Sequence, residues 1–482
     1  MALNMIPASL RKWKNLLLSN PYTKIQFNYT KQRKKLMSKK VYFSWGRVIL
    51  VCLIVACTEL MWTLYNTYVP IWLQAGNPNF DMGSQSATIV GFGFGATVTG
   101  VIMVIDNIVG LFISPLIGMI SDTTQSRYGR RKPWIIFSMP IMVIAFILIP
   151  VFVIGIPHEL NGQTAKLLKY LIPFIISLVV MLASYAVIRA PSEVILYDIT
   201  PSKHRSMANA IANFIGSGSG VLGALIGAML FDINPGLPFW IGAILTSVVV
   251  SLVAVKITEP PVLKHEMEDA KKLTIKDTIK EFRSLPKENI RSLVFLYLSL
   301  FFSYLAFGQI GSFASSYGVT VLKMDVGASG MLYAVGGAAF LIGTLPTGYI
   351  LKYISRKTAS IIGYIAFALM SLAIFFFPVP GVVWPALGIG ALLWSLVWVP
   401  QVPLIMDAVP DDRLLGSLEG ISAATRMLGY IIGPLIGGFV VEKFGNNYSN
   451  IWLVVLVGSV LGILSLLPVT KGEVKPEPEI SQ

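Results

Sequence analysis

Charge is what this sequence has least of. Only 13% of its 482 residues are Asp, Glu, Lys or Arg, about half the roughly 25% usual in a soluble domain. Hydrophobic residues make up 55%, and the mean hydropathy is +0.71. A chain so poor in charge cannot cover an ordinary water-facing surface, which excludes a cytosolic enzyme, a disordered protein and a nucleic-acid binder. Acidic residues are scarcer still, 24 against 38 basic, for a net charge of +14. The position of that excess gives its meaning: Arg11, Lys12, Lys14, Lys24, Lys31, Arg33, Lys34, Lys35, Lys39, Lys40 and Arg47 precede or open the first apolar run, with no Asp or Glu among them. Such a basic segment holds its end of the chain in the cytoplasm. Cysteine is almost absent. Cys52 and Cys57 lie five apart on different helical faces, which excludes a disulfide framework and a metal site. The three histidines, His158, His204 and His265, all fall in loops. With no Walker motif, zinc-ligand spacing or catalytic triad, neither a metal, a cofactor nor an enzyme activity is expected.

Long apolar runs are what the chain has instead. The run from Gly46 to Leu73 is too long for a cleavable signal peptide and lacks a small-residue cleavage pattern. Spans are predicted at 46–73, 90–120, 134–156, 168–192, 206–231, 237–257, 291–317, 328–351, 359–378, 383–406, 414–441 and 450–469. Twelve helices of about 20 residues use roughly 240 residues. The expected fold is all-α and integral to the membrane, with twelve transmembrane helices in two pseudo-symmetric six-helix bundles. Its parts are a basic cytoplasmic segment (1–45), a first bundle (46–257), a cytoplasmic linker (258–290), a second bundle (291–469) and a cytoplasmic tail (470–482). Lys and Arg recur in alternate loops, at Arg127, Arg130, Arg131 and Lys132, at Lys203 and Arg205, and at Lys352, Arg356 and Lys357. Loops 74–88 and 379–382 carry almost none, so both termini are placed in the cytoplasm and the protein in the plasma membrane. Both signs of charge mix from Glu259 to Lys287, the pattern of a solvated amphipathic linker.

An internal repeat supports the two halves. Asp198 and Asp407 lie 209 apart, as do Pro201 and Pro410, while Leu225-Ile-Gly227 is echoed by Leu435-Ile-Gly437 at 210. Gly118 to Asp122, followed by Arg130 and Arg131, has a weaker echo in Gly348 to Lys352, followed by Arg356 and Lys357. Repeated halves around a central site are the architecture of alternating-access transporters.

The most specific local pattern runs from Pro115 through Gly118, Asp122, Arg127, Gly129, Arg130 and Arg131 to Pro133-Trp134. A small residue for close helix approach, an acid and a basic loop at a membrane edge can build a charge cluster with Asp198 that closes the cytoplasmic side. The plainer alternative is that these positives only set topology. Asp407 and Arg413 are the second-half counterparts at helix ends. This segment resembles the major facilitator loop motif as found in the glycoside–pentoside–hexuronide:cation symporters, closest to their sucrose-transporter-like branch. Arg189-Ala-Pro191-Ser-Glu193 through Asp198, and Ser206-Met-Ala208-Asn209-Ala210, resemble that branch's fourth and fifth helices. The resemblance implies cation-coupled uptake of a sugar or glycoside. Melibiose-type members of the group carry cation-binding aspartates where Gly110, Ser114 and Arg189 stand here, so the sodium site is not carried over and a proton becomes the expected coupling ion.

Ionisable side chains deep in hydrocarbon cost several kcal/mol unless they face a polar cavity or a partner. Glu59 stands about 13 residues, or ~20 Å, into the first span, and Asp106 is at similar depth. Both are candidate proton carriers, against the alternative of static interhelix hydrogen bonds; Glu59 also resembles an acid of the animal branch. Arg189 and Glu193 share one face, one turn apart, either as a fixed ion pair or as a pair broken in the coupling step. For the substrate, aromatic faces and amides suit a sugar. The candidates are Trp62, Asn213, Gln309, Tyr317, Trp394, Trp398, Gln401 and Arg426; Asn213 matches a substrate-contacting arginine of the melibiose-type members, and Arg426 has Glu419 as an alternative structural partner. The glycine runs Gly91 to Ala96 and Gly216 to Gly220 have neither the strand nor the Lys-Ser/Thr of a phosphate loop, so helix packing explains them. The expected function is proton-coupled uptake of a di- or oligosaccharide or glycoside by a protein functional as a monomer, whose other partner is the lipid bilayer. The alternative is proton-coupled export of a small amphiphile.

Overall fold

The computed structural model describes residues 44–124, 126, 129–200, 204–257, 285–409 and 415–473. Arg127 and Arg413, most of the linker and nearly all of the basic N-terminal segment lie outside these residues, as do the side chains of Asp122, Glu193 and Asp198. Among the described residues all regular structure is helical, and twelve helices are long and apolar enough to cross a membrane. In lipid every backbone N–H and C=O must be satisfied within its own segment, so a chain this apolar folds as helices. They are α1 (Trp45–Gln74), α2 (Ala96–Met103 and Ile105–Thr123), α3 (Lys132–Ile154), α4 (Leu168–Ile199), α5 (Arg205–Leu230), α6 (Leu237–Lys256), α7 (Lys287–Thr320), α8 (Val326–Ser329 and Met331–Ile350), α9 (Arg356–Phe376), α10 (Pro380–Met406), α11 (Leu415–Lys443) and α12 (Ile451–Leu466).

The packing repeats with a period of six helices. Helix α1 packs on α5 and α6, α2 on α4, and α3 on α4 and α6; correspondingly α7 packs on α11 and α12, α8 on α10, and α9 on α10 and α12. The halves meet through α2 against α11, α5 against α8 and α1 against α7. The first two of these contacts are exchanged, and the third returned to itself, by the same pseudo-symmetry.

Trp45, the first residue of α1, touches His204 just before α5, ring centroids 5.5 Å apart, and Glu473 after α12 accepts the first backbone N–H groups of α9. These residues mark one face of the bundle, the terminal face. The face carrying loops 75–95, 231–236, 321–325 and 444–447 is the distal face. On the terminal side the lysine opening α3 closes its own bundle: buried Lys132 Nζ donates to Ile257 O at 2.7 Å, just past α6. Lys357 of α9 repeats this past α12, donating to Leu467 O and Val469 O at 2.9 and 2.8 Å. A cation on the last carbonyls satisfies acceptors the helix cannot.

Residues 90–95, expected at the start of the second span, are not helical. Phe92 N, Gly93 N and Phe94 N donate to Trp72 O, Ala75 O and Leu73 O at 3.0, 2.9 and 2.8 Å, forming an extended strap over the end of α1. Two glycines make this possible. A Cβ at Gly91 would lie 2.3 Å from Trp72 O, and Gly93 has φ +73°. The glycine run therefore serves backbone-to-backbone contact, and α2 begins only at Ala96.

Candidate functional site

The midplane of the first bundle is organised around a break in α2. The helix is interrupted at Val104, so Asp106 stands in the first turn of the second segment, where backbone amides lack intrahelical acceptors. Asp106 Oδ1 accepts from Asn107 N at 2.6 Å and from Asn107 Nδ2. Its Oδ2 accepts from Trp62 Nε1 of α1 at 3.3 Å. Beside it, Tyr65 is fully buried with an unbonded hydroxyl. Arg189 of α4 is within electrostatic reach of Asp106 and is an exposed side chain. Glu59, one turn before Trp62, is half-buried near Gly216 of α5, where an added Cβ would come 3.8 Å from Glu59 Cγ. Glu59, Trp62, Asp106 and Arg189 are thus brought together from three helices.

The second bundle faces them with rings. Tyr304 and Phe307 of α7, Phe340 of α8, Trp398 of α10 and Tyr430 of α11 form a continuous cluster. Tyr304 lies 4.8 Å from Trp398 and 5.0 Å from Tyr430 between centroids, and Phe307 lies 5.8 and 6.2 Å from the same two rings. Phe340 lies 5.8 Å from Trp398. Tyr430 is within electrostatic reach of Arg189, Glu59 and Asp106, and Tyr304 of Arg189 and Arg426. One wall therefore carries charge and the other carries aromatic faces. Arg426 Nη2 pairs with Glu419 Oε1 at 2.6 Å on α11.

Other expected substrate contacts are placed elsewhere. Gln309 is fully buried and donates to Gly433 O, within its own half. Tyr317 is fully buried with its ring edge-on to Trp452 at 5.5 Å. Trp394 is buried, stacked on Phe367 at 4.0 Å. Gln401 accepts from Ser303 Oγ at 3.2 Å and donates to Tyr364 Oη at 3.4 Å. All four have partners inside the second bundle, so these contacts build that bundle's core. Asn213 is exposed on α5. Tyr304, Phe307 and Tyr430 were not singled out from sequence, although Tyr430 follows Arg426 by one turn and Phe307 follows Tyr304 by three residues, the spacings that share a face.

On the terminal face, Arg131 is buried and donates from Nη1 to Ser121 Oγ at 3.2 Å. Gly129 turns the loop at φ +111°, Arg130 is half-buried beside it and Gly118 lies within α2. In the second half Arg356 forms an ion pair with Asp407, the residue that the repeat matches to Asp198.

Among the described residues, the hydrogen bonds joining the two halves cluster at the distal ends, the face opposite the loop motif at Gly118 to Arg131. Lys323 Nζ meets Asp81 Oδ2 at 2.6 Å. Gly327 N donates to Asp232 Oδ1 at 2.9 Å and Val326 N to Gln85 Oε1 at 2.7 Å. Tyr68 Oη donates to Gly327 O at 3.2 Å, and Gln74 Nε2 to Ser316 Oγ at 2.9 Å. Thr97 N and Oγ1 donate to Glu442 at 3.0 and 2.6 Å. This is a conformation closed at the distal face. The Lys323 hydrogen bond and charge hold the Asp81 carboxyl below its ordinary value of 3.8. The link is therefore complete above that value and is lost only as the pH falls through the lowered one, so a mildly acid medium leaves it intact.

A family model described as the Major Facilitator Superfamily matches residues 51–418. An uncharacterised MFS-type transporter of Bacillus subtilis, YttB, is 28% identical over 180 residues, 36% of this chain and 43% of that protein. The ascochitine biosynthesis cluster MFS transporter of Didymella fabae is 29% identical over 164 residues, 33% of this chain and 30% of its own length. The chain thus spans less than half the length of either curated relative. Among solved structures, a D-xylose-proton symporter superposes with TM-score 0.63 at 15% identity, covering 89% of this chain and 99% of that one. The nucleoside transporter NupG gives 0.61 at 14%, covering 86% and 98%. A bacterial homologue of the human lysosomal transporter Spinster, inward-facing and occupied, gives 0.63 at 13%, covering 89% and 96%. At these identities the structures share the fold.

Proposed function

The chain belongs to the Major Facilitator Superfamily and is a multi-pass membrane transporter; from that premise we propose that it takes up a sugar or glycoside together with a proton by alternating access. The observation that carries this reading is the two-walled midplane site. Asp106, held by the Trp62 indole and facing Arg189, stands across from the rings of Tyr304, Phe307, Trp398 and Tyr430. Carboxylates accept sugar hydroxyls and rings cover the apolar C–H face of a pyranose. Glu59 and Asp106 carry the proton, and Arg189 neutralises whichever carboxylate is ionised, which keeps an isolated charge from crossing the low-dielectric midplane. The terminal face is cytoplasmic, because the basic segment precedes α1, and the distal face is outer. A second reading, proton-driven export of a small amphiphile, draws on the size of the aromatic wall.

Labelled-sugar uptake into energised right-side-out vesicles distinguishes these. Uptake is expected to collapse with a protonophore and to be indifferent to replacing sodium by choline. A sodium requirement at fixed potential and pH would overturn proton coupling, and extrusion of preloaded solute on energisation would favour export. The terminal-face loop gives a separate expectation. Arg131→Met removes the buried bond to Ser121 far from the midplane, so turnover should fall several-fold with substrate affinity within a few-fold. Equilibrium binding lost from a folded Arg131→Met protein would contradict a gating role.

A further inference from the structure

Asp232 and Glu442 stand 210 residues apart, the offset that relates Leu225 to Leu435. Their backbone partners Thr97 and Gly327 stand 230 apart, the offset of Gly118 and Gly348. The two distal bonds are therefore one device made twice. Asp232, just past α5, accepts the amide of Gly327, second residue of α8, at 2.9 Å. Glu442, near the end of α11, accepts the amide of Thr97, second residue of α2, at 3.0 Å. Such amides have no intrahelical acceptor, and a carboxylate beside them also meets the positive end of the helix dipole. Each acid comes from the opposite bundle, so both bonds exist only while the distal ends touch. Glycine clears both approaches: an added Cβ would lie 2.5 Å from Asp232 Oδ2 at Gly327 and 2.0 Å from Glu442 Oε1 at Gly95.

The two copies differ at the residue that caps the helix. The N-cap of α2 is Gly95, which has no side chain to offer. The N-cap of α8 is Asp325, extended at φ −60°, ψ 148°, yet its carboxylate makes no capping bond. Asp is among the residues best suited to cap a helix, and it does so by accepting the second or third amide. The second amide is the one Asp232 holds.

We propose that Asp232 and Glu442 are the crossed carboxylate latches of the distal gate, and that on opening Asp325 replaces Asp232 at the Gly327 amide. This rests on the alternating-access reading above. Opening then exchanges one cap for another between α5 and α8, whereas between α11 and α2 it strips the Thr97 amide with no side chain at Gly95 to replace it. Glu442 is the tighter latch, and Asp325 is the residue that favours the open state.

The test is a distance distribution between spin labels at Asn79→Cys and Phe444→Cys, with Cys52 and Cys57 replaced by alanine, in nanodiscs without solute. With Asp325 replaced by alanine so that nothing can take the vacated amide, Asp232→Leu should raise the open-to-closed ratio about fivefold, the effect of a lost cap, and by less where Asp325 is present; Glu442→Leu should raise the ratio more in either background. Asp325→Ala should lower the ratio by a similar factor, and Asp325→Ser should restore it. If a leucine variant does not fold, Asp232→Asn and Glu442→Gln keep an acceptor and should shift the ratio the same way by less. An unchanged or raised ratio in Asp325→Ala overturns the exchange. Unchanged ratios in the Asp232 and Glu442 variants overturn the latch. Because no solute is present, a failed uptake assay counts against the sugar reading alone, and unchanged distances in a protein that takes up sugar count against the latch alone.

Discussion

Asp106→Asn is expected to reduce concentrative uptake to simple equilibration while sparing part of the exchange of labelled for unlabelled sugar. Asparagine retains an oxygen for the Trp62 indole, which donates to Asp106 Oδ2 in the native site, so the site keeps its shape. It cannot bind and release a proton. Net symport requires that release on the inner side, whereas exchange needs only the loaded carrier to rock back and forth. A membrane potential of 100 mV is worth about 2.3 kcal/mol per charge, roughly a fortyfold gradient for one coupled proton, and all of it should vanish. Glu59→Gln gives the parallel test on α1, and the two variants together separate the proton carrier from a carboxylate that only binds sugar. Loss of both accumulation and exchange in folded protein assigns a residue to the sugar. A variant that still concentrates sugar removes that residue from coupling.

Gly438→Val is expected to be as damaging, for a steric reason remote from the site. An added Cβ at Gly438 would stand 2.4 Å from Ala96 O and 2.9 Å from Thr97 Cα, and one at Gly100 would stand 2.6 Å from Pro434 O. The obstacles are backbone on the facing helix, so no rotamer change relieves them. Helices α2 and α11 could no longer meet distally. Turnover should drop at least about tenfold, because a conformational step that cannot complete becomes limiting, while binding from the distal side survives. Gly388→Val in α10 is the control, since a Cβ there meets nothing within 4 Å. Native turnover in Gly438→Val, or an equal loss in Gly388→Val, would contradict the steric account.

Lipid explains how much of this could be read from sequence. Twelve apolar runs become twelve helices because no other backbone arrangement is stable there, and the matching packing of α1 to α6 and α7 to α12 follows the repeat seen between Asp198 and Asp407. Glu59, Trp62, Asp106, Arg189 and Trp398 were visible as polar or aromatic residues deep in such runs. The break at Val104, which sets Asp106 in a helix first turn, was not visible, since nothing in Met103-Val-Ile-Asp106 stops a helix locally. Gln309, Trp394 and Gln401 look like ligand residues by type, but their partners Gly433, Phe367 and Tyr364 come from helices distant in sequence. The distal latch was hidden for a different reason. Its acceptors Asp232 and Glu442 obey the repeat offset, yet its donors are backbone amides, which every residue but proline possesses.

The central claim is that sugar and proton cross together in the same direction. It is tested most directly in proteoliposomes holding a pH-sensitive dye, with the potential clamped and no initial pH difference. Adding a transported sugar outside should acidify the lumen in proportion to the sugar entering, and the signal should disappear in Asp106→Asn. Sugar entry with no change in luminal pH, or with alkalinisation, would contradict proton symport.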